Sequence, residues 1–135
     1  MLEHTLARCR HWGLWSMMVL VCGMSMAQTV VRDDSRRELH FQSPPKRIVS
    51  LLPAITEMVC ELGACERLVG VDRHSNHPAS VLALPRLGGM DDTPLEALIK
   101  LQPDLILVAA SARVLPRLQK MGWPVMVFEP RDQAD

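Results

Sequence analysis

The chain has 135 residues, of which 48% are hydrophobic and 22% charged, a balance typical of a globular protein that argues against a disordered or fibrous chain. Its 15 basic and 15 acidic residues cancel, and no basic cluster stands out, so nothing in the charge pattern indicates a nucleic-acid partner. Length alone suggests a single domain.

The N-terminus has the layout of a secretory signal peptide, predicted over residues 1–27. A short basic start at residues 8–11 precedes an apolar run at 14–22, and small residues follow at 25 and 27. The apolar run is shorter than the about 20 residues that a membrane-spanning helix needs. We therefore predict export to the periplasm with cleavage after Ala27, the alternative being an uncleaved anchor. A valine precedes Cys22, where lipoproteins have a small residue, which argues against lipidation.

Residues 28–46 are predicted to form a flexible leader or a single edge strand. The stretch is polar and densely charged, lacks an apolar period and ends in Ser43-Pro44-Pro45. Order is predicted to begin at Arg47.

Residues 48–71 predict a compact strand–helix–strand unit. The run at 48–52 is apolar and rich in β-branched residues, as in a buried strand. Pro53 suits the first position of a helix, and Gly63 suits its left-handed end. A second strand is predicted at 68–71. The apolar face of the intervening helix is predicted from residues at helical spacing: Ile55, Met58, Val59 and Leu62.

Cys60 and Cys65 lie beyond the predicted signal peptide, and two interpretations of them stay open. An exported protein enters a compartment that oxidises thiols, so the pair could form a disulfide. Both could equally be small buried hydrophobic residues. No metal site is predicted, because two cysteines supply too few ligands.

The second half of the sequence continues the alternation. Thr93 and Glu96 predict a capping box at a helix start, with an apolar stripe of Leu95, Leu98, Ile99 and Leu101 and an end at Pro103. A buried strand is predicted at 105–109, a helix over 114–121 closed by Gly122, and a last strand at 125–128. The fold class predicted is α/β, a three-layer lobe with a mostly parallel sheet.

No catalytic motif or phosphate-binding loop is present, so no enzyme and no cofactor are predicted. The polar cluster at 72–77 directly follows the second predicted strand. Ligands of open α/β sheets bind beyond the carboxyl ends of the strands, which puts this loop, Pro53-Ala54 and Gly89-Met90 at one edge. His74 and His77 are interpreted either as ligand contacts or as solvated loop residues. Two histidines alone make no closed metal site.

The pattern resembles a known family at this point. Residues 47–57 (RIVSLLPAITE), 62–64 (LGA) and 68–71 (LVGV) are similar to the opening of the cobalamin and iron-siderophore periplasmic binding proteins, and residues 95–107 (LEALIKLQPDLIL) resemble their second signature. The resemblance extends from Arg47 to about residue 130. It implies two α/β lobes joined by a long helix, a ligand held between them without covalent chemistry, and delivery to an inner-membrane ABC permease.

The resemblance also implies roles for individual residues. Pro53 and Ala54 would contact ligand, His74 falls where cobalamin-binding members have a ligand-facing aromatic residue, and Met90 falls at a second such position. Glu96 matches the glutamate that docks on permease arginines. The chain has no tyrosine, which disfavours haem ligation of the tyrosine type.

The resemblance implies that residues 47–135 form the N-terminal lobe alone, without a C-terminal lobe. The ligand expected is a cobalamin-like corrinoid, then a ferric siderophore. Two alternatives stay open: a single-lobe interaction or sensor module that docks on a membrane partner, and a small periplasmic enzyme using His74 and Asp72.

Overall fold

The computed structural model describes residues 28–129. The predicted signal peptide, residues 1–27, lies outside this range. Short 3-10 turns occur at Cys65–Arg67 and Ala79–Ala83. The strands and α-helices follow in the order β1 (Thr29–Arg32), β2 (Glu38–Phe41), β3 (Ile48–Ser50), α1 (Pro53–Glu61), β4 (Leu68–Val71), α2 (Leu95–Leu101), β5 (Leu105–Ala109), α3 (Leu115–Lys120) and β6 (Val125–Phe128).

Four strands form a parallel sheet in the order β4-β3-β5-β6. Each of the four strands predicted from apolar runs is present, and Gly63 and Gly122 follow their helices with φ of 76°. The sheet order changes direction at β3, because the chain moves from β3 to β4 and then passes back to β5. Such a reversal leaves a crevice at the carboxyl ends of the strands.

The two faces of the sheet carry separate hydrophobic clusters, which confirms the predicted three layers. On one face, Leu98 of α2 and Leu118 of α3 are fully buried against alternate residues of β5 and β6. On the other face, Ile55 of α1 packs with the opposite residues of the same strands. Helices on both faces of a parallel sheet are the arrangement that buried strands require.

Residues 28–46 differ from the predicted flexible leader or single edge strand. β1 and β2 pair antiparallel as a hairpin, with Thr29 opposite Phe41. Leu39 and Phe41 lie on the same side of β2 and pack against the cluster that includes Ile55 and Leu107. The hairpin therefore belongs to the same layer as α1. Only alternate residues of β2 are apolar, and so short an alternation is a weak signal within a charged stretch.

Two helix surfaces also differ from prediction. Met58 is 51% and Leu62 78% exposed, so the buried side of α1 is formed by Ile55, Thr56 and the half-buried Val59. On α2, Ile99 is 51% exposed although it was placed in the apolar stripe. Helical spacing selects a wide arc of residues, and the neighbouring elements decide which part of the arc is covered.

The aspartate of the Pro-Asp sequence before β5 connects this strand to the start of β3. The Asp104 carboxylate accepts the backbone N–H groups of Lys46 and Arg47 at 2.8 and 2.9 Å. The Arg47 guanidinium donates to the carbonyls of Leu101 and Gln102 at the end of α2. A cation at this end also complements the helix dipole. These contacts join the starts of β3 and β5 to α2.

Candidate ligand-binding site

A cavity of about 410 Å³ lies beyond the carboxyl ends of β3 and β4. Three segments line it: residues 51–53 after β3, residues 72–74 after β4, and residues 89–92 before α2. The volume falls in the range of roughly 300–1,000 Å³ that small-molecule sites occupy. Of the segments predicted to meet at this edge, the structure brings Pro53, residues 72–74 and Gly89-Met90 to the cavity, whereas Ala54 and residues 75–77 do not line it.

The loop after β4, residues 72–76, is called the histidine loop here. Asp72 is 2% exposed, and its carboxylate accepts the backbone N–H of His74 at 2.8 Å and the hydroxyl of Ser75. The Arg86 guanidinium donates to the carbonyl oxygens of Asp72, at 3.2 Å, and of Ser75. The loop is thus held by side chains from within and from its flank, while His74 itself is exposed.

The segment before α2, residues 88–92, is called the methionine loop. Gly88 has a φ of 77°, and a Cβ there would lie 2.8 Å from the carbonyl oxygen of Asp92, so only glycine fits the turn. The Gly89 N–H donates to Asp92 Oδ1 at 2.7 Å. This tight turn presents Met90, which is 38% exposed, at the cavity.

The predicted capping box at the start of α2 is wrong. Thr93 is buried, and its hydroxyl donates to the Gly89 carbonyl at 2.6 Å instead of accepting from the helix. Pro94 is the N-cap, and no side chain caps the helix. Thr93 therefore closes the methionine loop. Its hydrogen bond stabilises the loop that lines the cavity rather than the start of α2. The sequence spacing alone does not distinguish these two hydroxyl partners.

Ion pairs attach the methionine loop to its neighbours. Arg73 of the histidine loop pairs with Asp92, and Arg113, after β5, lies 3.4 Å from Asp91. All four side chains are substantially exposed, so each pair contributes little to stability, about 0–1 kcal/mol. Their effect is to place charge of both signs at the rim of the cavity.

The predicted site residues divide into two groups. Pro53, His74 and Met90 line the cavity, whereas Ala54 and Glu96 do not. Ala54 is exposed in the first turn of α1, and Glu96 is exposed in the first turn of α2.

Sequence reasoning did not identify Asp91 or Asp92 as cavity residues, and it included Arg73 only as a member of the polar cluster at 72–77. The only sequence feature that could have indicated these residues is their charge within predicted loops. That feature is a weak indicator of a binding site, because charged loop residues are usually solvated. Within residues 28–129, no group of three or more His, Cys, Asp or Glu side chains could hold a metal ion. No helix of that part of the chain is long and apolar enough for a membrane crossing.

Comparison with known proteins decides the family. The family model described as periplasmic binding protein matches residues 48–135. The chain belongs to the periplasmic binding protein family. The match covers the whole parallel sheet and both cavity loops of this periplasmic binding protein.

Individual relatives agree with this assignment. An uncharacterised ABC transporter substrate-binding lipoprotein of Bacillus subtilis is 33% identical over 71% of this chain and 32% of its own length. The periplasmic vitamin B12 binding protein of Vibrio cholerae has 31% identity and a TM-score of 0.59, over 62% of this chain and 34% of its own. A periplasmic haem binding protein from Pseudomonas aeruginosa has 32% identity and a TM-score of 0.59, over 63% and 32%. The chain thus spans about a third of the length of these relatives.

Proposed function

We propose that this periplasmic binding protein chain is the N-terminal lobe of the receptor of an ABC importer, and that its cavity forms one wall of a cleft for a metal chelate. The observation that carries the proposal is the cavity, formed by three segments at the carboxyl ends of parallel strands. The proposed location is the periplasm, reached through the predicted signal peptide. The proposed role is capture and delivery, without chemical change of the ligand.

The ligand class proposed is a cobalamin-like corrinoid, with a ferric siderophore as the second choice. The relatives named above include a vitamin B12 binding protein, which supports the first choice. A relative is also named as a haem binding protein, but this chain has no tyrosine to supply a haem ligand of the tyrosine type. A half-exposed methionine and an exposed imidazole at one rim suit contact with a flat, partly apolar macrocycle.

Within this proposal Pro53, His74 and Met90 contact the ligand, and Ala54 borders them. Delivery to the permease is assigned to Glu96. Its carboxylate is exposed, and it lies in the first turn of α2, outside the cavity lining, so a partner could reach it without displacing ligand. A first-turn carboxylate also stabilises its own helix through the dipole.

The proposal is tested by titration calorimetry of the exported chain with cyanocobalamin. We expect binding that His74→Ala and Met90→Ala each weaken by about five- to tenfold, or roughly 1 kcal/mol. His77→Ala is the matched control, because His77 is exposed on the same connection but does not line the cavity. An equal loss of affinity in all three variants would show that the cavity is not the binding site. No heat with cyanocobalamin or with a ferric hydroxamate siderophore would overturn ligand capture by this lobe alone and favour the interaction module.

A further inference from the structure

A buried polar network lies beneath the histidine loop. It consists of Ser50, Thr56, Asp72 and Ser75, which are 0%, 0%, 2% and 1% exposed. Ser50 ends β3, Thr56 lies in the second turn of α1, and the other two belong to the loop after β4. Three separate segments therefore meet through polar side chains at a place where a hydrophobic core would be the simpler solution.

The contacts form a continuous path from α1 to the cavity rim. Thr56 Oγ1 lies 2.9 Å from both Ser50 Oγ and Ser75 Oγ. The Ser75 hydroxyl donates to one carboxylate oxygen of Asp72, and the other oxygen accepts the backbone N–H of His74 at 2.8 Å. The backbone N–H of Asp72 donates to the Ser50 carbonyl at 2.9 Å. The position of His74 is thus linked to Thr56 through two side chains.

The Thr56 hydroxyl is the branch point of this path. It donates to Ser50 Oγ at 2.9 Å and lies within hydrogen-bond distance of the Leu52 carbonyl and of Ser75 Oγ. The Ser75 hydroxyl donates its one proton to Asp72. Removing the Thr56 hydroxyl would take away the side-chain contact between Ser75 and α1, although Ser75 could still bond to Asp72.

Buried polar groups cost free energy unless all are paired, and a completely paired network constrains geometry more than apolar packing does. Among the described residues, every buried side-chain nitrogen and oxygen has a partner. On the other side of the loop, the Arg86 guanidinium donates hydrogen bonds to the carbonyl oxygens of Asp72 and Ser75. The loop is consequently fixed at both ends of the Asp72–Ser75 turn, which is the turn that carries His74.

We propose that Thr56, Ser75 and Asp72 are positioning residues, which hold the histidine loop in the conformation that forms the cavity wall. None of the three needs to touch ligand, and Thr56 and Ser75 lie outside the cavity lining. The consequence for ligand affinity rests on the function proposed above, whereas the effect on the loop does not.

The test measures amide hydrogen exchange of residues 73–76 in the ligand-free chain. Thr56→Val keeps the shape of the side chain and removes its hydroxyl, and we expect the His74 and Ser75 amides to exchange about tenfold faster. Thr56→Ser keeps a hydroxyl at this position, and the exchange rates of the His74 and Ser75 amides should stay within about twofold of those in the parent chain. Ile106→Val is the control, since Ile106 is fully buried in β5 and outside the network. It should leave these amides unchanged while lowering global stability by about 0.5–1.5 kcal/mol.

Two outcomes would overturn the proposal. The first is equal exchange of residues 73–76 in Thr56→Val and in the parent chain; the second is a Thr56→Ser variant that exchanges as fast as Thr56→Val. Ser75→Ala provides the same measurement at a second position if the valine variant does not fold. If cyanocobalamin binds the parent chain, Thr56→Val should weaken it at least threefold and Thr56→Ser should not. The parent chain could fail to bind cyanocobalamin while amide exchange of residues 73–76 changes in the variants as expected. That result would refute the proposed corrinoid ligand and support the positioning role.

Discussion

Single carboxylates make several of the contacts between distant parts of this chain. Asp33, in the turn between β1 and β2, is 8% exposed and accepts the backbone N–H of Val127, which is 94 positions away. Burial alone would raise the pKa of Asp33. Hydrogen bonds from the Ser35 hydroxyl and from the backbone of Arg37, Val127 and Ser35 outweigh it and hold the pKa below its ordinary value. The ionised form is therefore the one that the fold stabilises.

This pKa shift predicts an acid-sensitive contact. A carboxylate with a lowered folded-state pKa contributes stability above its unfolded pKa of about 3.9, and that stability is lost as the pH falls further through the folded-state value. Asp33→Asn should lower the free energy of unfolding by about 1–3 kcal/mol at pH 7, and the difference should shrink below about pH 4. Urea unfolding at several pH values measures it. Glu57→Gln, at an exposed carboxylate, is the control and should change stability little at any pH. A pH-independent difference for Asp33→Asn would contradict the ionised contact.

Among the elements, the hairpin of β1 and β2 has a larger role than its composition indicates. Its turn donates the Asp34 N–H to the Val127 carbonyl at 3.2 Å, and Asp34 accepts the N–H of Glu129 at 2.9 Å. These bonds cover part of the free edge of β6, and unpaired edges are sites of aggregation. The hairpin thereby shields part of the edge of the last strand.

Phe41 tests whether the hairpin is an integral layer. Phe41→Ala should lower the free energy of unfolding by about 1–3 kcal/mol, less than a fully buried phenylalanine would, because its ring is only half-buried. His40→Ala, on the opposite and exposed side of the same strand, should be nearly neutral. Chemical denaturation of both variants makes the comparison. A neutral Phe41→Ala would instead favour the flexible leader or single edge strand predicted from the sequence for residues 28–46.

At the scale of the whole molecule, the disulfide is consistent with the predicted export. Cys60 of α1 and Cys65 of the following 3-10 turn are joined by a disulfide, which settles the alternative that the sequence left open. The bond closes a short connection, of sequence separation five, between the first helix and β4. Such bonds persist in oxidising compartments, so the covalent structure agrees with a periplasmic protein.

Thiol alkylation of the chain recovered from a periplasmic extract tests both points in one mass spectrum. We expect a mass that corresponds to cleavage after Ala27 and two thiols that react only after reduction. Cys60→Ala/Cys65→Ala should unfold with a free energy lower by about 2 kcal/mol, because the denatured chain loses its constraint. Free thiols in the unreduced protein would contradict the disulfide, and an intact N-terminus would contradict the predicted cleavage.

The candidate site was predictable in part. The position of residues 72–74 and 89–90 at one edge followed from strand order, since carboxyl ends of parallel strands meet there. The resemblance supplied His74 and Met90 as specific positions. Neither source indicated that Thr93 closes the methionine loop or that Arg73 pairs with Asp92. Those contacts depend on side-chain directions that residue spacing does not specify.

The sequence by itself determined the alternation of strands and helices, because each parallel strand is a short apolar run and glycines end two helices at positions that need a left-handed backbone. Local patterns suffice for such elements. Only the tertiary structure decided the packing of the hairpin, the exposed side of α1 and the network from Thr56 to His74. The physical reason is that hydrogen bonds and burial join residues far apart in the chain, as the bond between Asp33 and Val127 does, and their partners exist only once the sheet has formed.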